Sequence, residues 1–197
     1  MIDWNERFAE PGHAYGTAPN DFLREWSARV PTGRVLCLAE GQGRNAVYMA
    51  QQGYEVTAVD ASSVGLAKAR ELARQQGVSI ETCHVDLDDF VIEADHWQGI
   101  VSVFCHVPAA LRRRLHAAVV AGLAPGGMLI LEAYTPAQIA LNTGGPRDPA
   151  LCMQADELRE ELDGLRILHA LETERELVEG KYHHGIGAVV QFVAVKE

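Results

Sequence analysis

Between residues 34 and 133, strand-like apolar runs alternate with helical patterns across short connections. That alternation confines the chain to an α/β fold with a mostly parallel sheet and helices on both faces. The five runs are 34–39, 54–59, 79–85, 99–104 and 128–133. The first, RVLCLA, is a continuous apolar run and reads as a buried central strand. Helical stripes lie between them: Ala46, Met49 and Ala50 after the first run, Leu66, Ala69 and Ala73 after the second, and Leu111, Leu115, Ala118 and Val119 after Pro108. Right-handed crossovers make such a sheet doubly wound. Before the first strand, Phe22, Leu23, Trp26 and Val30 mark one more helix, ended by Pro31 and Gly33. Beyond 135 a Pro-, Gly- and Thr-rich loop leads to a helix marked by Leu151, Ala155, Leu158 and Leu162. Two strands, 165–177 and 185–195, then read as an antiparallel hairpin. A length of 197 residues suits one domain, 1–197, with residues 1–30 as an arm and helix that could act as a lid.

The turn after the first strand, Glu40-Gly41-Gln42-Gly43-Arg44-Asn45, carries the sharpest chemical signal. Glycines there let backbone turn tightly and approach a ligand, and the helix start behind them offers unpaired N–H groups. Asp60 follows Gly43 by 17 residues, at the tip of the second strand. A carboxylate at that edge can accept both hydroxyls of a ribose, so the pair indicates an adenosine cofactor. Gly41, Gly43 and Ala46 also satisfy the G-x-G-x-x-A form of a dinucleotide site. An NAD(P)-dependent oxidoreductase is therefore an alternative, opposed by the late first strand and by the lack of chain for a second substrate domain. A non-catalytic cofactor-binding regulator is the other.

With 17 Lys and Arg against 27 Asp and Glu, the net charge is -10. Such a surface repels nucleic acid and anionic membranes and suits a small-molecule substrate. The run Arg112-Arg113-Arg114 reads as a solvated helix face. Cys37, Cys83, Cys105 and Cys152 form no CxxC pair and read as free thiols in a reducing compartment. MIDWNERF lacks the pattern of a signal peptide, so the expected location is the cytoplasm. His183 and His184 are adjacent, but no third ligand is placed by spacing, and no metal is expected. No obligate protein partner is indicated.

The stretches VLCLAEGQGRNAVYMA (35–50), GYEVTAVDASSVGLAKA (53–69), Asp86-Leu87, GIVSVF (99–104) and LAPGGMLILEAY (123–134) together resemble the class I S-adenosylmethionine-dependent methyltransferases. Within them the tellurite-resistance type is nearest, with a looser likeness to thiopurine methyltransferases. WNERF (4–8) and YGTAPNDFL (15–23) fit too. The resemblance implies a seven-stranded sheet of order 3-2-1-4-5-7-6 with strand 7 antiparallel, and methyl transfer from S-adenosylmethionine to a small acceptor by direct in-line displacement. It places the methionine part at Glu40, Gly41, Gly43 and Asn45, the ribose at Asp60 and Ala61, and the adenine at Asp86 and Leu87. Phe104 and its neighbours then lie near the methyl group. The sequence departs from the family where an acid and a glycine are usual and Cys37 and Ala39 stand. Glu40 could answer by holding the cofactor's ammonium, or by binding Arg44 or a backbone donor.

Methyl transfer needs alignment and water exclusion rather than a protein nucleophile. A neutral acceptor also needs a base. His106, after the fourth strand, is a candidate for lining the substrate site and for that base. Tyr134, ending the fifth strand, and Tyr15, in the arm, are candidate walls. Arg147, in the long loop, could grip an anionic substrate.

Overall fold

The computed structural model describes residues 3–197. Met1 and Ile2, at the tip of the expected arm, lie outside the described residues. The chain runs through α1 (Trp4–Ala9), α2 (Asp21–Trp26), β1 (Arg34–Leu38), α3 (Arg44–Gln51), β2 (Glu55–Asp60), α4 (Ser63–Gln75), β3 (Glu81–His84) and β4 (Trp97–Val103). It continues through α5 (Ala109–Gly122), β5 (Leu123–Tyr134), α6 (Gln138–Leu141), α7 (Ala155–Glu161), β6 (Leu165–Glu179) and β7 (His183–Lys196). The strands form one seven-stranded sheet of order β3-β2-β1-β4-β5-β7-β6. β7 runs antiparallel to β5, and β6 antiparallel to β7. This is the order implied by the family resemblance.

Both faces of the central strands are dry. Val35, Cys37, Val101, Val103 and Ile130 point to the face covered by Phe22, Leu23 and Trp26 of α2 and Ala46 and Met49 of α3. Leu36, Ile100, Leu129 and Leu131 point to the other, under Leu115 and Val119 of α5 and Leu158 of α7. Period-2 alternation inside an all-apolar run thus supplies two cores. Parallel register sets Cys37 between Ala58 and Val101, and every loop that follows a parallel strand lands on the same edge of the sheet.

Two expectations need correction. The fifth strand begins at Leu123 rather than 128, because Leu123 already pairs with Trp97 across an irregularity in register. And Arg112 is not on a solvated face: it is 3% exposed. Its guanidinium donates to Glu161 at 2.8–3.1 Å, to the Cys152 carbonyl at 2.8 Å and to Glu157 at 3.1 Å. His116 adds a 2.7 Å contact to Glu161. Burial alone would raise the Glu161 carboxyl, but His116 and Arg112 hold it down at about 2. The cluster rivets α7 to α5. Arg113 is exposed and Arg114 pairs with Asp88.

All four cysteines are free. Among the described residues no helix is long and apolar enough to cross a membrane, and no group of three or more His, Cys, Asp or Glu is placed to hold a metal ion.

Candidate active site

β1 leaves the sheet through three left-handed residues: Ala39 at φ 48°, Gly41 at φ 62° and Gly43 at φ 90°. Ala39 accepts a conformation that an L-residue adopts at a cost of about 1–2 kcal/mol. The turn is held by two carboxylates. Glu40 folds forward, and its Oε1 accepts the Asn45 and Ala46 amides at 2.8 and 2.9 Å, capping α3. Loss of hydration outweighs those bonds and Arg44, and raises the Glu40 carboxyl to about 7. Of the roles open to Glu40 in the sequence, the backbone donor is the one occupied. Asp60, 7% exposed, accepts the Gly41 amide on Oδ2 at 2.8 Å and the Ser62 amide on Oδ1 at 2.7 Å. Burial raises this carboxyl too. β3 continues the same edge: the Val85 amide donates to the Asp60 carbonyl, and His84 Nε2 lies 3.1 Å from the Ala61 carbonyl. Asp86 is exposed and accepts the Asp88 amide at 2.9 Å, while Leu87 is buried.

The arm crosses this edge. A Cβ built on Gly41 or on Gly65 would stand 2.8 Å from the Phe8 ring. Ser62 Oγ donates to Asn5 at 2.7 Å, the Ala14 amide to Gln42 at 2.7 Å, and Lys68 Nζ to the Glu10 and Gly12 carbonyls at 2.6 and 2.9 Å. At its far side Tyr182 donates to Glu10 at 2.6 Å and the Lys181 amide to the Ala14 carbonyl at 2.9 Å. The arm therefore bridges α4 to the β6–β7 turn over the glycine loop.

An aromatic group sits beyond it. Phe104, at φ 53°, stacks 4.6 Å from Tyr134 and meets His183 edge-on at 4.6 Å. Tyr15 lies 4.5 Å from His183. Tyr134 is fully buried, and its hydroxyl has no hydrogen-bond partner. Gly144 and Gly145 give its ring room, since a Cβ on Gly145 would stand 2.6 Å from it. Burial and the nearby Glu179 push the Tyr134 phenol up. His106 stacks on Tyr134 at 5.6 Å, but both its nitrogens are committed: Nδ1 to the Leu151 carbonyl at 2.9 Å, Nε2 to the Tyr134 amide at 3.3 Å. Burial lowers this imidazole to about 4. Arg147 is exposed and makes no ion pair among the described residues.

Sequence reasoning missed a buried polar network behind these rings. Glu132, 0% exposed, accepts from Arg175 at 2.7 and 2.9 Å, Asn20 at 2.5 Å and Gln191 at 2.8 Å. Glu179 accepts from Asn20 at 2.9 Å, Arg175 at 3.3 Å and Arg44 at 2.8 Å. Asn20 also receives the Leu23 amide at 3.0 Å and donates its own amide to Asn45 at 2.9 Å, joining arm, α2 and glycine loop. A signal was present: Glu132 is the lone charge in the apolar run MLILEAY, and a buried charge demands partners.

The sequence profile of the methyltransferase domain family matches residues 35–127, the stretch from β1 into the start of β5. A Bacillus subtilis protein described as an uncharacterized methyltransferase is 32% identical over 79 residues, 40% of this chain and 31% of that protein. The match to the 2-heptyl-1-hydroxyquinolin-4(1H)-one methyltransferase of Mycobacteroides abscessus is 24% over 155 residues, 77% of this chain and 66% of that one. The sheet order agrees with these matches. The chain is related to the class I S-adenosylmethionine-dependent methyltransferases. It spans about a third of the first relative's length and about two thirds of the second's. Among solved structures, the enzyme that converts a disulfide bond into a thioacetal group in echinomycin biosynthesis superposes with a TM-score of 0.76 at 20% identity, covering 97% of this chain and 90% of that one. TehB from Haemophilus influenzae superposes with a TM-score of 0.71 at 22% identity, covering 90% and 62%. These likenesses concern the fold. The edge carrying Gly41, Asp60 and Phe104 is where the sheet's parallel strands end.

Proposed function

We propose that the chain, acting as one domain, binds S-adenosylmethionine along this edge and directs its methyl group to a small-molecule acceptor. The observation that carries the reading is Asp60 hydrogen-bonded to the Gly41 amide on a sheet of methyltransferase order. A second observation tests the fit. Arg44 is 8% exposed, and its Nη1 is buried without a partner, while Nη2 is spent on Glu179. Such a donor calls for an acceptor. Glu40 already occupies the α3 amides, so Arg44 is the group suited to the cofactor's carboxylate, and the free Oε2 of Glu40 to its ammonium. Each Asp60 oxygen takes one amide and retains a second acceptor position for a ribose hydroxyl. Gly41, Gly43 and Asn45 line the methionine end, and Ala61, Asp86 and Leu87 frame the adenine.

When bound, the cofactor supplies an activated methyl group on a sulfonium. The residues of the chain hold, orient and keep dry. Phe104, Tyr134 and Tyr15 wall the acceptor, and the arm, residues 1–30, acts as the lid through Phe8. With both nitrogens engaged, His106 orients Tyr134 rather than moving protons. Arg147 lies where a loop could bring it to an anionic acceptor. The acidic surface favours a small molecule over nucleic acid, in the cytoplasm and without an obligate protein partner.

Calorimetry with S-adenosylhomocysteine and with NAD(P) tests the cofactor. Transfer of labelled methyl into a cell extract then tests the activity. Binding of NAD(P) in place of S-adenosylhomocysteine refutes the reading, and binding without labelled product reduces the protein to a sensor.

A further inference from the structure

We infer that His183, held by Glu179, is the proton acceptor for methyl transfer to a planar aromatic molecule bearing a weakly acidic hydroxyl or thiol. The inference rests on the proposed cofactor site and adds the class of acceptor.

Strand alternation at the start of β7 sends His184 to solvent and His183, 6% exposed, inward. His183 Nδ1 lies 3.4 Å from Glu179 Oε2. Glu179 cannot swing away, because Asn20, Arg175 and Arg44 hold its two oxygens. With Nδ1–H donating to the carboxylate, Nε2 carries the lone pair, and no hydrogen bond occupies it among the described residues. A base oriented by a third group is the arrangement that proton abstraction needs, and its bond to the orienting group is often long without substrate. His106 has the opposite arrangement, with both nitrogens spent on backbone.

The surroundings of His183 select the acceptor. Tyr15 stands 4.5 Å away, Phe104 4.6 Å and Tyr134 5.3 Å, centre to centre. These rings offer flat apolar faces to a flat apolar guest. Tyr15 is half-buried and belongs to the arm, so opening the arm admits the guest beside His183. The charged and titratable groups facing the imidazole are Glu179 on β6, Glu132 on β5, Arg44 on α3, His106 after β4, and the phenols of Tyr15 and Tyr134. Burial lowers the imidazole from its ordinary value against the pull of Glu179, which keeps it unprotonated near neutral pH.

In the step, the acceptor's oxygen or sulfur bonds to the methyl carbon, and the carbon–sulfur bond breaks with its electron pair left on the cofactor's sulfur. Nε2 takes the acceptor's proton, and the imidazolium formed is balanced by Glu179 until it releases that proton to water.

The test loads the full chain with S-adenosylhomocysteine and titrates in 4-nitrophenol, whose ionisation is read directly from its absorbance. In the parent, with labelled S-adenosylmethionine in place of S-adenosylhomocysteine, the phenol should be methylated at a pH where the free phenol is mostly neutral. In His183→Gln transfer should follow the phenol's own ionisation as pH rises, with S-adenosylhomocysteine affinity unchanged. With labelled S-adenosylmethionine, transfer to the phenol should fall by about 10²–10⁴-fold, the usual share of a general base. Nitrogen NMR of the labelled histidines gives a check that needs no variant: neutral His183 should carry its proton on Nδ1. The same pH dependence of transfer in parent and variant, failure of the loaded parent to bind the phenol, or an Nε2–H tautomer overturns the inference. Failure of the parent to bind S-adenosylhomocysteine instead overturns the cofactor reading beneath it.

Discussion

Asp60→Ala separates two jobs that one carboxylate performs. Its oxygens accept the Gly41 and Ser62 amides at 2.8 and 2.7 Å, and the residue is 7% exposed. Removing it strands two amides at a covered edge, each costing about 1–3 kcal/mol if no water reaches it. Partial relaxation of the loop brings the total to the lower end, roughly 2 kcal/mol, which lowers the melting midpoint of a chain this size by about 4–8 °C. The same substitution deletes the charged acceptor proposed for the ribose, worth about 1.5–3 kcal/mol, or roughly 10- to 150-fold in affinity. Asp60→Asn keeps one acceptor oxygen but turns an NH2 toward an amide N–H, so it should lose part of both quantities. Asp88→Ala, on the exposed turn beyond Asp86, should change neither. Thermal unfolding of the unliganded protein reads the first effect, and calorimetry with S-adenosylhomocysteine reads the second. Asp60→Ala with unaltered affinity would falsify the ribose assignment, and an unaltered midpoint would show that the loop does not depend on this carboxylate.

Arg44→Met should weaken S-adenosylhomocysteine by about 10- to 150-fold, the value of one charged hydrogen bond, while leaving methylthioadenosine, which lacks the amino-acid group, unaffected. Equal losses for the two ligands, by calorimetry, would mean that Arg44 only supports the loop. Arg112→Met leaves buried Glu161 facing His116 alone, and urea unfolding should register a loss of about 3–5 kcal/mol; a loss under 1 kcal/mol would place the arginine outside the α5–α7 contact. Because the folded Glu161 carboxyl is depressed to about 2 from an ordinary 4.5, its contribution is complete above the unfolded value and drains away as pH falls from 4.5 toward 2. Stability followed by fluorescence should decline across that window, and Glu161→Gln should flatten part of the decline. Deleting residues 1–18 should abolish transfer and keep the sheet's circular dichroism; full activity in the deletion would remove the arm from the lid role.

Much of the architecture is legible locally. The apolar runs of β1, β4 and β5 specify strands buried on both faces, whereas β3 is a half-exposed edge strand joined to β4 without a helix; parallel pairing with β1 sets Asp60, at the end of β2, at the same edge as the turn after β1. Glycine at 41 and 43 marks left-handed backbone, a single-residue property. Ala39 was less legible, because an alanine gives no hint that its neighbours hold it at φ 48°. Arg112 shows the same limit. In a helix, charge at one position says only that the side chain needs polar company, and water and Glu161 satisfy that need equally well on paper.

The network around Glu132 and Glu179 lay beyond local reading altogether. Asn20 meets Glu132 across 112 residues and Glu179 across 159. From the sequence, His183 and His184 differ in nothing but order. Only the register of β7 against β5 and β6 turns one imidazole into the aromatic group and the other to water. Periodicity and turn chemistry act between neighbours and are written in the order of residues. The satisfaction of a buried charge acts between whatever side chains the fold brings within 3 Å or so, and that is decided when the sheet closes.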